Sequence, residues 1–245
     1  ETEPISYQED PNTQRNTPLT MPRHPTSIVL TNLIGVKHQP LSITKRNNKI
    51  YVGLENPSQI VEINEDRKYK KQRVLTLVDG IVSSLQVYND EIYAHVAKLL
   101  YHRVMVFDLS GNFLRCWSHT GNSHHYTMLR VVDDMVVIPC DARGSLYVYS
   151  LKGELIKEIK CPITANSWKS MAVLGDTSVI VCDWGDNGDV VFRVDLDHGE
   201  VVWTTTEVAS PNSVVCYNDY VLVATHDKDT KIWVLDIKSG KEYGI

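Results

Sequence analysis

The chain has 245 residues, 42% of them hydrophobic, and a net charge of −5. That is enough apolar material for a real core, and too acidic a balance for a protein dedicated to neutralising nucleic-acid phosphate. No apolar run reaches the roughly 18 residues that a membrane-spanning helix needs, so no membrane partner is expected.

Residues 1–26 hold five prolines and many polar groups and read as an extended linker, as if cut from a longer protein. From residue 27 onward the pattern becomes β. Residues 27–33, SIVLTNL, predict one strand with no repeat of its own. Five units follow: residues 41–77, 83–117, 128–159, 171–206 and 213 to the end. In each, two short β-rich runs flank a tight turn: Asn47-Asn48, Asn89-Asp90, Asp133-Asp134, Gly175-Asp176 and Asn218-Asp219. Asn, Asp and Gly tolerate the positive φ that such hairpin turns demand. The second turn residues lie 42, 44, 42 and 43 apart. A third run recurs in step at residues 60–63, 104–107, 146–149, 191–194 and 232–235. Four strands per unit at a period near 43 predict a β-propeller of four-stranded antiparallel blades spanning residues 27–245.

The links divide into two sets. Those between first and second, and third and fourth, strands are short and uniform. Those between second and third strands, and between blades, are longer and irregular: residues 98–102, 141–144, 183–189, 226–230, 119–126 and 164–168. Irregular loops on a regular scaffold are where binding usually resides. They carry His102, His124, His125, Asp141, Asp183, Asp186 and Asp227. They also carry Arg103, Tyr126, Arg143, Trp168, Trp184 and His226, which are assigned here as the partner-binding residues because aromatic and Arg side chains dominate protein interfaces.

Residues 103–114, RVMVFDLSGNFL, resemble the NHL repeat. Residues 145–155, 191–201 and 231–240 fit the same frame less closely. Trp-Asp dipeptides and Gly-Gly pairs, marks of WD40 and kelch propellers, are absent. The resemblance implies the C-terminal propeller of a tripartite-motif-type protein: a module that recognises proteins or RNA within a ubiquitin ligase or translational regulator. The Asp that commonly ends the family's second strand is matched only by Asp183, whereas Leu54, Val96, Cys140 and Thr225 stand near the corresponding places.

Other chemistry is thin. Residues 183–189, DWGDNGD, are rich in calcium-type ligands but lack EF-hand spacing, and read as a solvated turn. His124 and His125 are adjacent, so on a strand they point to opposite faces and do not share an ion. Asp141, Asp183 and His226 would be the candidates if this were a propeller hydrolase or lyase with a metal at its channel, but no nucleophile motif accompanies them. No catalytic residue, metal ligand or cofactor is assigned. The basic run Arg67 to Arg73, with Tyr69, offers RNA binding as an alternative function. Five scattered cysteines without a CxxC pair read as buried free thiols, which favours a reducing, cytoplasmic setting.

Ring closure has two readings. Residues 27–33 pair beside residues 231–235 and complete a five-bladed ring, or the family is six-bladed and one blade is missing here. Residues 241–245 read as the start of a fourth strand, which favours the second.

Overall fold

The computed structural model describes residues 40–55, 57–64, 72–98, 101–119, 127–140, 143–162, 168–175, 177–185, 188–226 and 231–243. They form five antiparallel sheets. Blade 1 comprises β1 (Pro40–Arg46), β2 (Lys49–Leu54), β3 (Gln59–Asn64) and β4 (Gln72–Leu77). Blade 2 comprises β5 (Ile81–Tyr88), β6 (Glu91–Lys98), β7 (Tyr101–Asp108) and β8 (Phe113–His119). Blade 3 comprises β9 (Arg130–Val132), β10 (Met135–Cys140), β11 (Ser145–Ser150) and β12 (Leu155–Lys160). Blade 4 comprises β13 (Trp168–Leu174), β14 (Ser178–Gly185), β15 (Gly188–Asp195) and β16 (Glu200–Thr205). Blade 5 comprises β17 (Pro211–Tyr217), β18 (Tyr220–Thr225) and β19 (Ile232–Asp236). The blades are set in a ring, and β1, β5, β9, β13 and β17 line its central channel.

The repeated turns have the backbone their residues imply. Asn89 and Asp90 have φ of 46° and 60°, and Asp133 and Asp134 have 44° and 62°. Asn47 and Asn218 likewise lie near 50°. A two-residue turn with both φ positive matches the right-handed twist of its strands, and Asn and Asp enter that region at low cost.

A second repeat was invisible as a motif. The innermost strands of blades 1 to 4 are each bonded to the next blade by a polar side chain. Ser42 Oγ donates to Val82 O (3.4 Å), and Ser84 Oγ donates to Leu129 O while accepting from Leu129 N (2.9 Å). Gln86 bonds both Val131 O and Val131 N. Arg130 Nε donates to Met171 O, and Val214 N donates to Ser170 Oγ. Ser42, Ser84, Ser170 and Ser213 each follow the register shift of their strand. Only Ser213 is exposed and bonded to nothing among the described residues.

Apolar packing follows the same path. Separate buried clusters join blades 1 and 2, 2 and 3, 3 and 4, and 4 and 5. A fifth cluster, Ile50, Val52, Leu54, Val61 and Ile63, comes from blade 1 alone among the described residues. Among the described residues nothing covers the far face of blade 5. Ile232 is 71% exposed and Leu222, Ala224 and Val234 are half-buried, whereas Val104 and Val106 in the corresponding places of blade 2 are at 0%.

The start of a fourth strand in blade 5 is present. Leu235 bridges Glu242, Tyr243 N donates to Val234 O, and Asp236 N donates to Lys241 O. This edge of β19 is therefore occupied by residues 241–243. Residues 27–33 lie outside the described residues.

Three expectations need correction. Residues 183–185 and 188–189 are strand rather than loop: β14 and β15 pair up to Gly185 opposite Gly188, with Asp183 opposite Val190 and Trp184 opposite Asp189. Alternating polar residues hide a strand when they cluster near its hairpin. Residues 98–102 shrink likewise, since Lys98 pairs with Tyr101, so His102 and Arg103 belong to β7. The five cysteines are all free, but only Cys140 and Cys182 are buried; Cys116, on an outermost strand, is exposed.

Candidate functional site

The hairpins between second and third strands gather at one face of the ring. Blades 4 and 5 build a cluster there. The Trp184 and His226 rings stack at 5.9 Å with planes 20° apart, and Lys169 Nζ lies 4.7 Å over the Trp184 ring. The supports are one side-chain bond and one backbone bond. Asp189, opposite Trp184, accepts from Ser210 N, and Ser210 O accepts from His226 N, each at 2.9 Å. His226 is exposed and Trp184 half-buried, so aromatic surface and a cation are presented together. Such a cation–aromatic stack recognises flat or apolar groups at low entropic cost.

The other assigned residues are more dispersed. Arg143, in the β10–β11 link, is exposed and lies 3.8 Å from Glu158. Arg103 is half-buried on β7, in the field of Asp79. Trp168 begins β13 and is only 7% exposed, packed edge-on against Phe192 in the cluster between blades 3 and 4. Tyr126 lies outside the described residues, as do His124, His125, Asp141, Asp186 and Asp227. The structure thus brings Trp184 and His226 together and adds Lys169, which the sequence did not single out.

His102 belongs to a different environment. It stacks on His95 at 5.5 Å, and His119 lies edge-on to His95 at 6.2 Å; all three are buried beside Tyr147 and Tyr149 between blades 2 and 3. Ser83 Oγ donates to Thr127 O at 2.8 Å, so it accepts from His95 Nδ1 at 2.7 Å. His95 Nε2 is then a bare acceptor with no partner among the described residues. Burial, reinforced by the neighbouring imidazoles, holds His95 well below its ordinary pKa and brings His119 to about 4. His95 and His119 are therefore neutral packing histidines at pH 7. Among the described residues no group of three or more His, Cys, Asp or Glu is arranged to hold a metal ion, and Asp183 is buried within β14. Among the described residues no helix is long and apolar enough to cross a membrane.

Repeated four-stranded blades, side-chain bonds between their inner strands and a channel at the axis define a β-propeller. Solved structures agree. The chain is similar to the WD40 β-propeller domain of Doa1, with 13% identity and a TM-score of 0.64, over 84% of this chain and 67% of that one. It is similar to BamB from Moraxella catarrhalis, with 10% identity and a TM-score of 0.57, over 82% and 62%. A protein of unknown function from Bacteroides caccae gives 12% identity and 0.60, over 84% and 80%. At such identities the likeness is one of fold. No protein-family model matches the chain, and no curated protein matches it either.

Proposed function

We propose that this propeller is a protein-recognition module whose contact surface is the irregular-hairpin face. The observation that carries the reading is the Lys169, Trp184 and His226 stack, built across two blades and held by the Asp189–Ser210–His226 bonds. Rigid aromatics beside a cation are what protein hot spots are made of. The opposite face offers short turns. The likeness of residues 103–114 to the NHL repeat supports a finer reading, in which the module is the C-terminal propeller of a tripartite-motif-type ubiquitin ligase or regulator working in the cytoplasm.

The test is quantitative capture. Trp184→Ala with His226→Ala should lower recovery of the partner at least tenfold, since hot-spot truncations cost about 2 kcal/mol or more. The pair Lys152→Ala and Glu154→Ala, on the short-turn face, should leave recovery unchanged. Equal recovery by both double variants overturns the surface assignment. A captured species that is nuclease-sensitive and lost steeply with salt would move the function to RNA binding.

A further inference from the structure

The boundary between blades 2 and 3 is built unlike the others. Along β6, β7 and β8, His95, His102 and His119 alternate onto the same face as Tyr93, Val104, Val106 and Trp117, which packs on blade 3. All three imidazoles sit at its hairpin end and are buried. His119 lies directly opposite His102 across β7 and β8, and its Nδ1 is 3.0 Å from Tyr149 Oη on β11. His95 reaches the entry to blade 3 through Ser83, whose Oγ accepts from Nδ1 and donates to Thr127 O. The clusters at the other boundaries contain no histidine. The short-turn half of this boundary is held by different chemistry. Arg115 forms a two-pronged pair with Glu91 and donates from Nε to Leu151 O of blade 3 at 2.9 Å, while Trp117 rests on Gly153. Arg115 holds the Glu91 carboxyl below its ordinary range, so this pair stays charged in mild acid.

The hairpin half has no place for a positive charge. Among the described residues, the titratable groups facing the imidazoles are the imidazoles themselves, Cys140 on β10, and Tyr147 and Tyr149 on β11. Burial raises both phenols, so neither becomes an anion below neutral pH. Arg143 and Glu158 act on the Tyr147 phenol and not on His95 or His119. Arg103 alternates to the opposite face of β7, in the field of Asp79. The Pro139 carbonyl favours a proton on His119, but less than burial and His102 oppose it. At His95 the added N–H would lie on Nε2, which has no acceptor among the described residues. A buried charge left so is relieved most cheaply by exposing it to water.

We propose that the boundary between blades 2 and 3 is an acid-released latch: when His95 and His119 take up protons, its hairpin half parts while its short-turn half stays closed. The latch does not depend on what the hairpin face binds. Its strength follows from linkage. Once exposed, each imidazole takes its proton near pH 6.5, whereas in the closed boundary His119 does so at about 4 and His95 lower. Protons therefore favour the open form as pH falls below 6.5. At pH 5.0 each imidazole shifts the opening equilibrium by roughly 30-fold relative to pH 7.5, and the two together by about 1000-fold.

Thiol labelling of the whole chain tests the latch. Cys140 is buried at this boundary and Cys116 is exposed, so the labelling rate of Cys140 divided by that of Cys116 reports opening, with the pH dependence of thiol chemistry divided out. The reagent is a pyridyl disulfide, and peptide mapping separates the sites. From pH 7.5 to 5.0 the ratio should rise about 1000-fold in the wild type, and about 30-fold in His95→Gln and in His119→Gln. His198→Gln, on an exposed turn, should keep the full rise. At pH 5.0 the ratio should change little with urea below the unfolding transition, because a local opening exposes little surface. An unchanged ratio overturns the latch, as does a full rise that survives both histidine substitutions. So does a urea slope equal to that of whole-molecule unfolding. Should a variant not fold, the wild-type ratio and its urea slope decide.

Discussion

At the scale of single residues, the buried imidazoles tie stability to pH. An unfolded histidine takes its proton near pH 6.5, whereas His119 in the fold takes it only at about 4 and His95 lower still. Above pH 6.5 both states are neutral and the two groups cost nothing. As pH falls from 6.5 towards 4, protons bind the unfolded chain and not the folded one, so stability falls across that window. For His119 alone the loss approaches roughly 3 kcal/mol at the lower end. Urea midpoints at pH 7.5 and 5.0 measure it. We expect a clear drop for the wild type and a shallower one for His119→Gln; parallel slopes would show that other groups are responsible. The sequence placed His102 in a loop because the hairpin at Lys98 and Tyr101 is tighter than its residues suggest.

At the scale of elements, the turns explain their own composition. In blades 2 to 5 the turn after the third strand rests on the blade before it. A Cβ on Gly153 would lie 2.5 Å from Trp117 Cδ2, and Gly240 stands in the same relation to Trp203. Both glycines also have positive φ, 91° and 69°. The Lys152-Gly153 and Ser239-Gly240 pairs therefore serve packing between blades as well as the turn. Gly153→Ala is expected to cost roughly 2–4 kcal/mol, combining backbone strain with overpacking. Chemical denaturation reads this directly, and a change within experimental error would mean that Trp117 yields freely. The recurring glycine was legible in the sequence. Its tryptophan partner, 36 residues earlier in the chain, was not.

At the scale of the whole molecule, the ring is a series of alike interfaces with one exception. Four of them combine an apolar cluster with a side-chain bond between inner strands. At the far face of blade 5 the corresponding positions are open, and Ser213 makes no such bond among the described residues. Ser84→Ala should therefore destabilise the protein by about 1–3 kcal/mol, because it strands the buried Leu129 N–H. Ser213→Ala should stay within about 0.5 kcal/mol. Thermal melting of the pair separates the cases, and equal losses would show that Ser213 is engaged after all.

The sequence by itself determined the fold class, five repeating units and the position of the tight turn between first and second strands in each. Those follow from local chemistry: β-branched runs, Asn and Asp at positive φ, and a period that local signals repeat five times. It also singled out Trp184 and His226, which the structure stacks together, because aromatic and polar residues next to a hairpin stand out locally. Only the tertiary structure decided which side chains meet. It carried Trp168 into the core against Phe192, set Lys169 over Trp184, and brought His95, His102 and His119 together between two blades. It also set five separate inner strands around one channel. Each of these joins residues on different strands or blades, and the distance between them depends on strand register and blade rotation, neither of which any single segment encodes.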